Sequence, residues 1–174
     1  VVYSDFEDLA DRAGSGYRNL VLKRSFSIYG GDYTPVKKLG WAPIYSALGK
    51  TGVTVALTGE AAVNPNIPDQ GLPFAMAHEM AHRLCIARED DANFSAFLSC
   101  AEHESLAYQY SGYFMAYRFC IAALQSVDAG AAEKIASGCS AELAADIEGY
   151  DRYFDENRDE QMTMLVTTVT DTYE

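Results

Sequence analysis

Residues 72–94 read LPFAMAHEMAHRLCIAREDDANF, and within them His78, Glu79 and His82 form the pattern HExxH. Pro73 is typical of the first turn of a helix, and the apolar residues after it recur at helical spacing. Side chains four residues apart project from the same face of a helix, so the two imidazoles lie close enough to share a cation. Neutral imidazole is a good ligand for Zn²⁺. The stretch therefore predicts a helix that carries two ligands of one zinc ion.

Glu79 follows the first histidine directly, so its carboxylate can reach a zinc-bound water without being a ligand itself. In this pattern the glutamate is the general base of peptide hydrolysis. The alternative is a chance match on an amphipathic helix that binds no metal. We favour the zinc site because the helix start, the apolar stripe and the carboxylates that follow all suit it.

A catalytic zinc usually has three protein ligands and one open position. Glu89 is the favoured third ligand because it begins a new predicted helix, where Asn93 can accept a hydrogen bond from the far nitrogen of a ligand. The first helix must then end between about residues 84 and 88, because an unbroken helix would separate His82 from Glu89 by about 10 Å along its axis. Carboxylates also favour helix N-termini without any metal. The other candidates for the third ligand are Asp90, Asp91, Glu102, His103 and Glu104.

Residues 73–94 resemble the gluzincin branch of zinc peptidases, in which a glutamate on a later helix completes an HExxH site. Residues 36–130 also resemble a bacterial family of unknown function described as membrane-anchored metallopeptidases. This second resemblance rests on LPFAMAHEMAHRLCIAREDDANFSAFLSC, on GEAAVN before it and on YQYSGYFMAYRF after it. Members commonly have a glycine where this chain has Cys85, and they usually continue beyond Glu174. The resemblance implies a gluzincin-like zinc peptidase that is membrane-anchored in its full-length bacterial form.

Peptide hydrolysis also needs a donor for the developing oxyanion. Tyr110 and Tyr113 are candidates because they recur at helical spacing, although the same spacing is typical of aromatic residues in a core. A strand predicted at residues 53–57 suits pairing with an extended substrate. Glu60 and Asn64 follow this strand, and they are either substrate-binding residues or simple turn residues.

Periodicity predicts a mainly helical α+β fold in which a small sheet precedes the HExxH helix. The resemblance implies that this fold is zincin-like. The chain has 174 residues, which suits one domain. We therefore expect residues 1–174 to form a single metallopeptidase-like domain. Besides the HExxH helix, the predicted helices cover about residues 4–24, 89–104 and 106–127, and a last pair of helices runs through about residues 131–165.

The net charge and the lengths of the apolar runs indicate which partners the chain is expected to have. A formal charge of −12, from 25 acidic and 13 basic residues, disfavours nucleic acid as a partner. No apolar run is long enough to span a membrane. Because the chain starts at Val1 without a leader, we expect a piece of a longer protein whose membrane tether lies elsewhere.

Cys100 and Cys120 lie in apolar helical patterns and are expected to be buried thiols.

The sequence thus predicts a zinc-dependent endopeptidase that acts on a peptide or protein substrate. One alternative is a zinc-bearing sensory or binding module in which Glu79 is kept without turnover. Another is a helical interaction scaffold with a chance HExxH, which would bind no metal. Metal content separates the scaffold from the other two, and turnover separates the peptidase from the binding module.

Overall fold

A computed structural model describes residues 3–164, and it is mainly helical with one three-stranded sheet. The predicted α+β class is therefore confirmed. The helices are α1 (Phe6–Arg12), α2 (Ser15–Arg24), α3 (Ala42–Ala47), α4 (Leu72–Arg83), α5 (Glu89–Ala101), α6 (Leu106–Val127), α7 (Ala129–Ala136) and α8 (Ala141–Asn157). The strands are β1 (Lys37–Lys38), β2 (Gly52–Val55) and β3 (Glu60–Val63). The pair of helices predicted over residues 131–165 is confirmed as α7 and α8, and its expected end at Leu165 lies outside the described residues.

The N-terminal helical stretch, predicted over residues 4–24, is two helices rather than one. Asp5 caps α1 by accepting a hydrogen bond from the Asp8 amide at 2.9 Å. In α2, a Cβ on Gly16 would lie 2.0 Å from the Ser99 carbonyl oxygen. Close packing of α2 against α5 therefore requires glycine here, even though glycine weakens a helix by about 1 kcal/mol.

Helix α4 is buried on most of its surface, since nine of its twelve residues are buried. The Phe74 amide in its first turn has no partner within the helix and is satisfied from another helix, because it donates to Ser111 Oγ at 2.9 Å. Tyr17 donates from its hydroxyl to the Ala77 carbonyl at 2.8 Å and so joins α2 to the middle of α4. These contacts hold the HExxH helix rigidly between its neighbours.

The sheet has the order β1-β3-β2, with β1 parallel and β2 antiparallel to β3. The inner strand β3 buries Ala61 and Val63 completely. The strand predicted at residues 53–57 ends earlier, at Val55, because the Val55 carbonyl accepts hydrogen bonds from the two turn amides of Thr58 and Gly59. Among the described strands, β2 pairs only with β3, so one edge of β2 is free.

The second half of α6 projects from the core. All buried residues of this helix lie between Ala107 and Met115. Cys120 is consequently exposed, and its predicted burial is wrong, whereas Cys100 on α5 is buried as expected. Across the described residues, no helix combines the length and the apolar character needed to cross a membrane.

Candidate metal centre

A sharp turn separates the two helices that carry the predicted ligands. Helix α4 ends at Arg83 and α5 begins at Glu89, which confirms the predicted break. The Cys85 amide donates to the His82 carbonyl and the Ile86 amide donates to the Ala81 carbonyl, the pattern of a Schellman motif. Cys85 takes the left-handed conformation with φ of 68°, which usually favours glycine. The bacterial family that the sequence resembles commonly has glycine at this position, and glycine adopts this conformation without strain.

The turn also orients His82. The Ile86 carbonyl lies 2.8 Å from His82 Nδ1, so Nδ1 carries the proton and donates it to this oxygen. The Nε2 lone pair of His82 is then free to bind a metal. A backbone carbonyl behind a histidine ligand is a common way to fix its tautomer and ring orientation.

The three predicted ligands converge on one point. His78 Nε2 lies 3.0 Å from His82 Nε2 and 3.2 Å from Glu89 Oε2, and His82 Nε2 lies 3.6 Å from Glu89 Oε1. Ligand atoms at 2.0–2.1 Å from a tetrahedral zinc are about 3.3 Å apart. The triangle thus has the size of one face of a zinc coordination tetrahedron. Among residues 3–164, this is the group of histidine, cysteine and acidic side chains with metal-binding geometry.

Two of the competing third ligands follow the end of α5 and lie away from the histidines. Glu102 pairs with Arg24 at 2.6 Å. His103 is buried, donates from Nε2 to the Arg12 carbonyl at 3.0 Å, and stacks on Tyr108. Both residues are therefore engaged in packing α5 against the N-terminal helices.

His78 is a half-buried side chain whose Nδ1 atom, on the far side of the ring from the ligand triangle, is not satisfied. Burial lowers the pKa of His78, so the imidazole favours the neutral form that binds metals. Its Nδ1 atom is buried without a hydrogen-bond partner of good geometry among the described residues. Asn93 lines the same cavity as His78 and Glu89, and its side chain lies close enough to His78 to oppose the fall of the His78 pKa, so it is in the predicted neighbourhood.

Glu79 faces the sheet side of α4 and is only 4% exposed. Burial raises its carboxyl pKa, and the hydrogen bond from Thr54 opposes that rise. Thr54 Oγ1 lies 2.7 Å from Glu79 Oε2. Glu79 is thus held beside the histidines and apart from the ligand triangle, as a base requires.

Two cavities meet at the ligand triangle. The larger, of about 940 Å³, runs along β2 and the following turn and is lined by His78, Glu79, His82 and Glu89. The smaller, of about 220 Å³, shares His78 and Glu89 with it. Its walls are mostly apolar and come from α4, α6 and α8: Phe74, Ala75, Met115, Phe119 and Tyr150.

The structure does not bring the two predicted oxyanion donors to this site. Tyr110 donates from its hydroxyl to Asp146 on α8. Tyr113 is 60% exposed, and its ring packs against Phe97 on α5 with centroids 5.6 Å apart. Neither lines the two cavities, because α6 turns these two side chains toward α8 and α5 instead.

Tyr150 on α8 is the tyrosine that borders the site. It lines the smaller cavity, and its hydroxyl forms no hydrogen bond with residues 3–164. Burial raises the pKa of Tyr150 to about 12, so the phenol keeps its proton at neutral pH. A Cβ on Gly71 would lie 2.4 Å from the Tyr150 ring, so glycine at the start of α4 makes room for it. Because Tyr150 lies far along the chain from HExxH, no local spacing points to it.

The two predicted substrate-binding residues have structural roles. Glu60 accepts a hydrogen bond from Lys37 Nζ at 2.8 Å on the exposed side of the sheet and lines neither cavity. Asn64 is fully buried, where its amide donates to Ser46 Oγ at 2.9 Å and its Oδ1 accepts from the Asn66 amide at 3.0 Å. Asn64 is thus the turn residue of the alternative interpretation.

The comparison with protein families gives one match. A family described as a protein of unknown function (DUF3810) matches residues 2–173, which is nearly the whole chain. The chain therefore belongs to this family. Neither a curated protein nor a solved structure matches it.

Proposed function

We propose that this DUF3810 protein is a zinc-dependent peptidase with a gluzincin-like site. The observation that carries the proposal is the triangle of His78, His82 and Glu89 atoms, with separations of 3.0, 3.2 and 3.6 Å. Two nitrogens and one carboxylate oxygen are the donor set of known catalytic zinc sites that keep an open position. The proposal includes a zincin-type fold and a membrane tether outside this chain, both of which the sequence resemblance implies.

The chain supplies the other groups that hydrolysis requires. When bound, zinc would polarise the peptide carbonyl and lower the pKa of water. Glu79 would take the proton of the attacking water and pass it to the leaving amine, since its carboxylate is buried beside the ligands without joining them. Tyr150 takes the place of Tyr110 and Tyr113 as the proposed donor to the developing oxyanion, because its hydroxyl has no other partner in the described chain.

Two features of the cleft suit a peptide. The free edge of β2 borders the larger cavity and offers main-chain groups to an extended segment. The smaller cavity has a volume of about 220 Å³ and mainly apolar walls. An apolar cavity of about 150 Å³ holds a benzene molecule. One leucine- or phenylalanine-sized side chain therefore fits beside the ligands, and we propose that a bulky apolar residue flanks the cleaved bond.

The first test uses the native protein and a peptide library. We expect about one zinc per chain, cleavage that a chelator stops and added zinc restores, and a preference for a bulky apolar residue next to the cut. Mass spectrometry of the products gives the preference directly. A native full-length protein that holds zinc and cuts no peptide would support the binding module instead. Absence of zinc from the folded protein would refute both.

Replacement of Tyr150 by phenylalanine tests the oxyanion donor. We expect kcat to fall about 10²- to 10³-fold, the usual effect of removing one such donor. Zinc content and melting temperature should change little, because the hydroxyl makes no hydrogen bond in the described chain and the ring remains. Steady-state kinetics together with metal analysis separates these effects.

Tyr110→Phe is the matched control for this experiment. It removes a phenol hydroxyl from the same part of the fold, but that hydroxyl binds Asp146 and not the cleft. We expect Tyr110→Phe to keep kcat. If the Tyr110 variant lost activity and the Tyr150 variant did not, the assignment of the donor to Tyr150 would be wrong.

A further inference from the structure

We propose that Thr54 on β2 is a positioning residue for Glu79, which couples the edge strand of the cleft to the general base. This inference rests on the proposed function of the same site. Thr54 Oγ1 lies 2.7 Å from Glu79 Oε2 and 3.1 Å from the Glu79 main-chain oxygen. The hydroxyl has one proton, and the shorter distance together with the carboxylate charge favours donation to the side chain.

Gly52 completes the contact from the same strand. A Cβ at this position would lie 2.6 Å from Glu79 Oε1 and 2.7 Å from Glu79 Cγ. No other residue type fits without displacing the carboxylate. Gly52 and Thr54 are two residues apart, so they face the same side of β2. One face of the strand thus confines the Glu79 carboxylate at both oxygens.

Confinement matters because a glutamate side chain has several rotatable bonds. The Thr54 hydrogen bond occupies Oε2, whereas Oε1 makes no hydrogen bond with residues 3–164. Oε1 is therefore the oxygen available to accept a proton in the cleft. A base held in one orientation reacts faster than one that samples several, because less conformational entropy is lost when the reactive geometry forms.

The main chain of the same residues faces the substrate side. The Thr51 carbonyl accepts a hydrogen bond from the amide of Asn64, the residue that directly follows β3. Along an antiparallel strand, the main-chain N–H and C=O groups of successive residues point alternately toward the partner strand and away from it. The Thr51 groups point toward β3, so those of Gly52 and Thr54 point to the free edge. A peptide that pairs with this edge would therefore contact Thr54 through its backbone while the Thr54 side chain holds the base.

The test compares Thr54→Val, which keeps the shape and removes the hydroxyl, with Thr54→Ser, which keeps the hydroxyl. We expect Thr54→Val to lower kcat about tenfold or more with KM little changed, as is typical when an outer hydrogen bond to an active-site group is lost. Thr54→Ser should recover most of the lost rate. Zinc content should stay near one per chain in both variants. Thr58→Val, on the exposed turn of the same hairpin, is the control for the substitution itself.

A second readout does not depend on turnover. Acetohydroxamate binds zinc through its two oxygens and can donate a hydrogen bond to a neighbouring carboxylate, so its affinity reports the position of Glu79. We expect weaker acetohydroxamate binding in Thr54→Val than in the native protein and Thr58→Val. Equal affinities and equal kcat values in native protein and Thr54→Val would overturn the positioning role. So would loss of zinc and of thermal stability in both Thr54 variants, because that pattern indicates a purely structural residue.

The two proposals fail in different ways. A native protein that binds zinc and acetohydroxamate but cuts no peptide would refute the peptidase. The hydroxamate affinities would then still decide whether Thr54 positions Glu79. A native protein that cuts peptides but shows no effect of Thr54→Val keeps the peptidase and removes the positioning role. A folded native protein without zinc overturns both.

Discussion

Replacing His82 by alanine is expected to abolish zinc binding at stoichiometric concentrations. Zinc held by several protein ligands has an apparent binding free energy of about 12 kcal/mol. If three ligands share this free energy about equally, the loss of one costs about 4 kcal/mol, or about a thousandfold in affinity. The fold should survive, because His82 lies at the last turn of α4 and its side chain is not fully buried, with 16% of its surface exposed. Elemental analysis of the dialysed protein gives the zinc content, and circular dichroism checks the fold.

Asp91→Ala is the matched control for the zinc experiment. Asp91 is an exposed carboxylate in the first turn of α5, as Glu89 is, and it lies 3.8 Å from Arg88. The control therefore removes one negative charge near the site without removing a proposed ligand, and it should keep the metal. A His82→Ala variant that still holds one zinc per chain would contradict the assignment of the ligands.

The HExxH helix was predictable from local rules, and the break after it was predictable from the requirement that His82 and Glu89 share one site. Helical spacing fixes the relation of His78 to His82, and the rise of a helix excludes Glu89 from the same helix. The sequence near Cys85 contains no glycine or proline to force the turn. The structure makes the turn with Cys85 at positive φ and with two hydrogen bonds back into α4. The requirement that His82 and Glu89 reach one metal ion therefore predicted this turn, whereas the local sequence did not.

The residues that sequence reasoning missed reach the site from other elements. Tyr150 arrives on α8, and Thr54 arrives on a short strand whose alternating threonine and valine residues indicate only a strand. No spacing rule relates these positions to HExxH, since tertiary packing alone determines the distance. The prediction that Tyr110 and Tyr113 reach the site was wrong for a related reason. Helical spacing indicates which residues share a face of a helix, but it does not indicate what that face contacts.

Replacing Glu79 by glutamine is expected to remove peptide hydrolysis while zinc stays bound. The amide keeps the size of the side chain but cannot accept the proton of water, and loss of a general base typically costs 10²- to 10⁴-fold in rate. Zinc should remain because Glu79 contributes no atom to the triangle of His78, His82 and Glu89. Single-turnover cleavage with zinc-loaded protein measures the chemical step without a contribution from product release.

The stability of the Glu79→Gln variant adds a second criterion. Burial raises the pKa of Glu79, so its charged form is destabilised in the fold, and a neutral amide avoids that penalty. Thr54 can still donate to the amide oxygen at the position of Oε2. We therefore expect a melting temperature equal to or above that of the native protein. A variant that is folded, zinc-loaded and as active as the native protein would exclude Glu79 as the base. Equal loss of zinc and activity would instead make Glu79 a residue needed for metal binding.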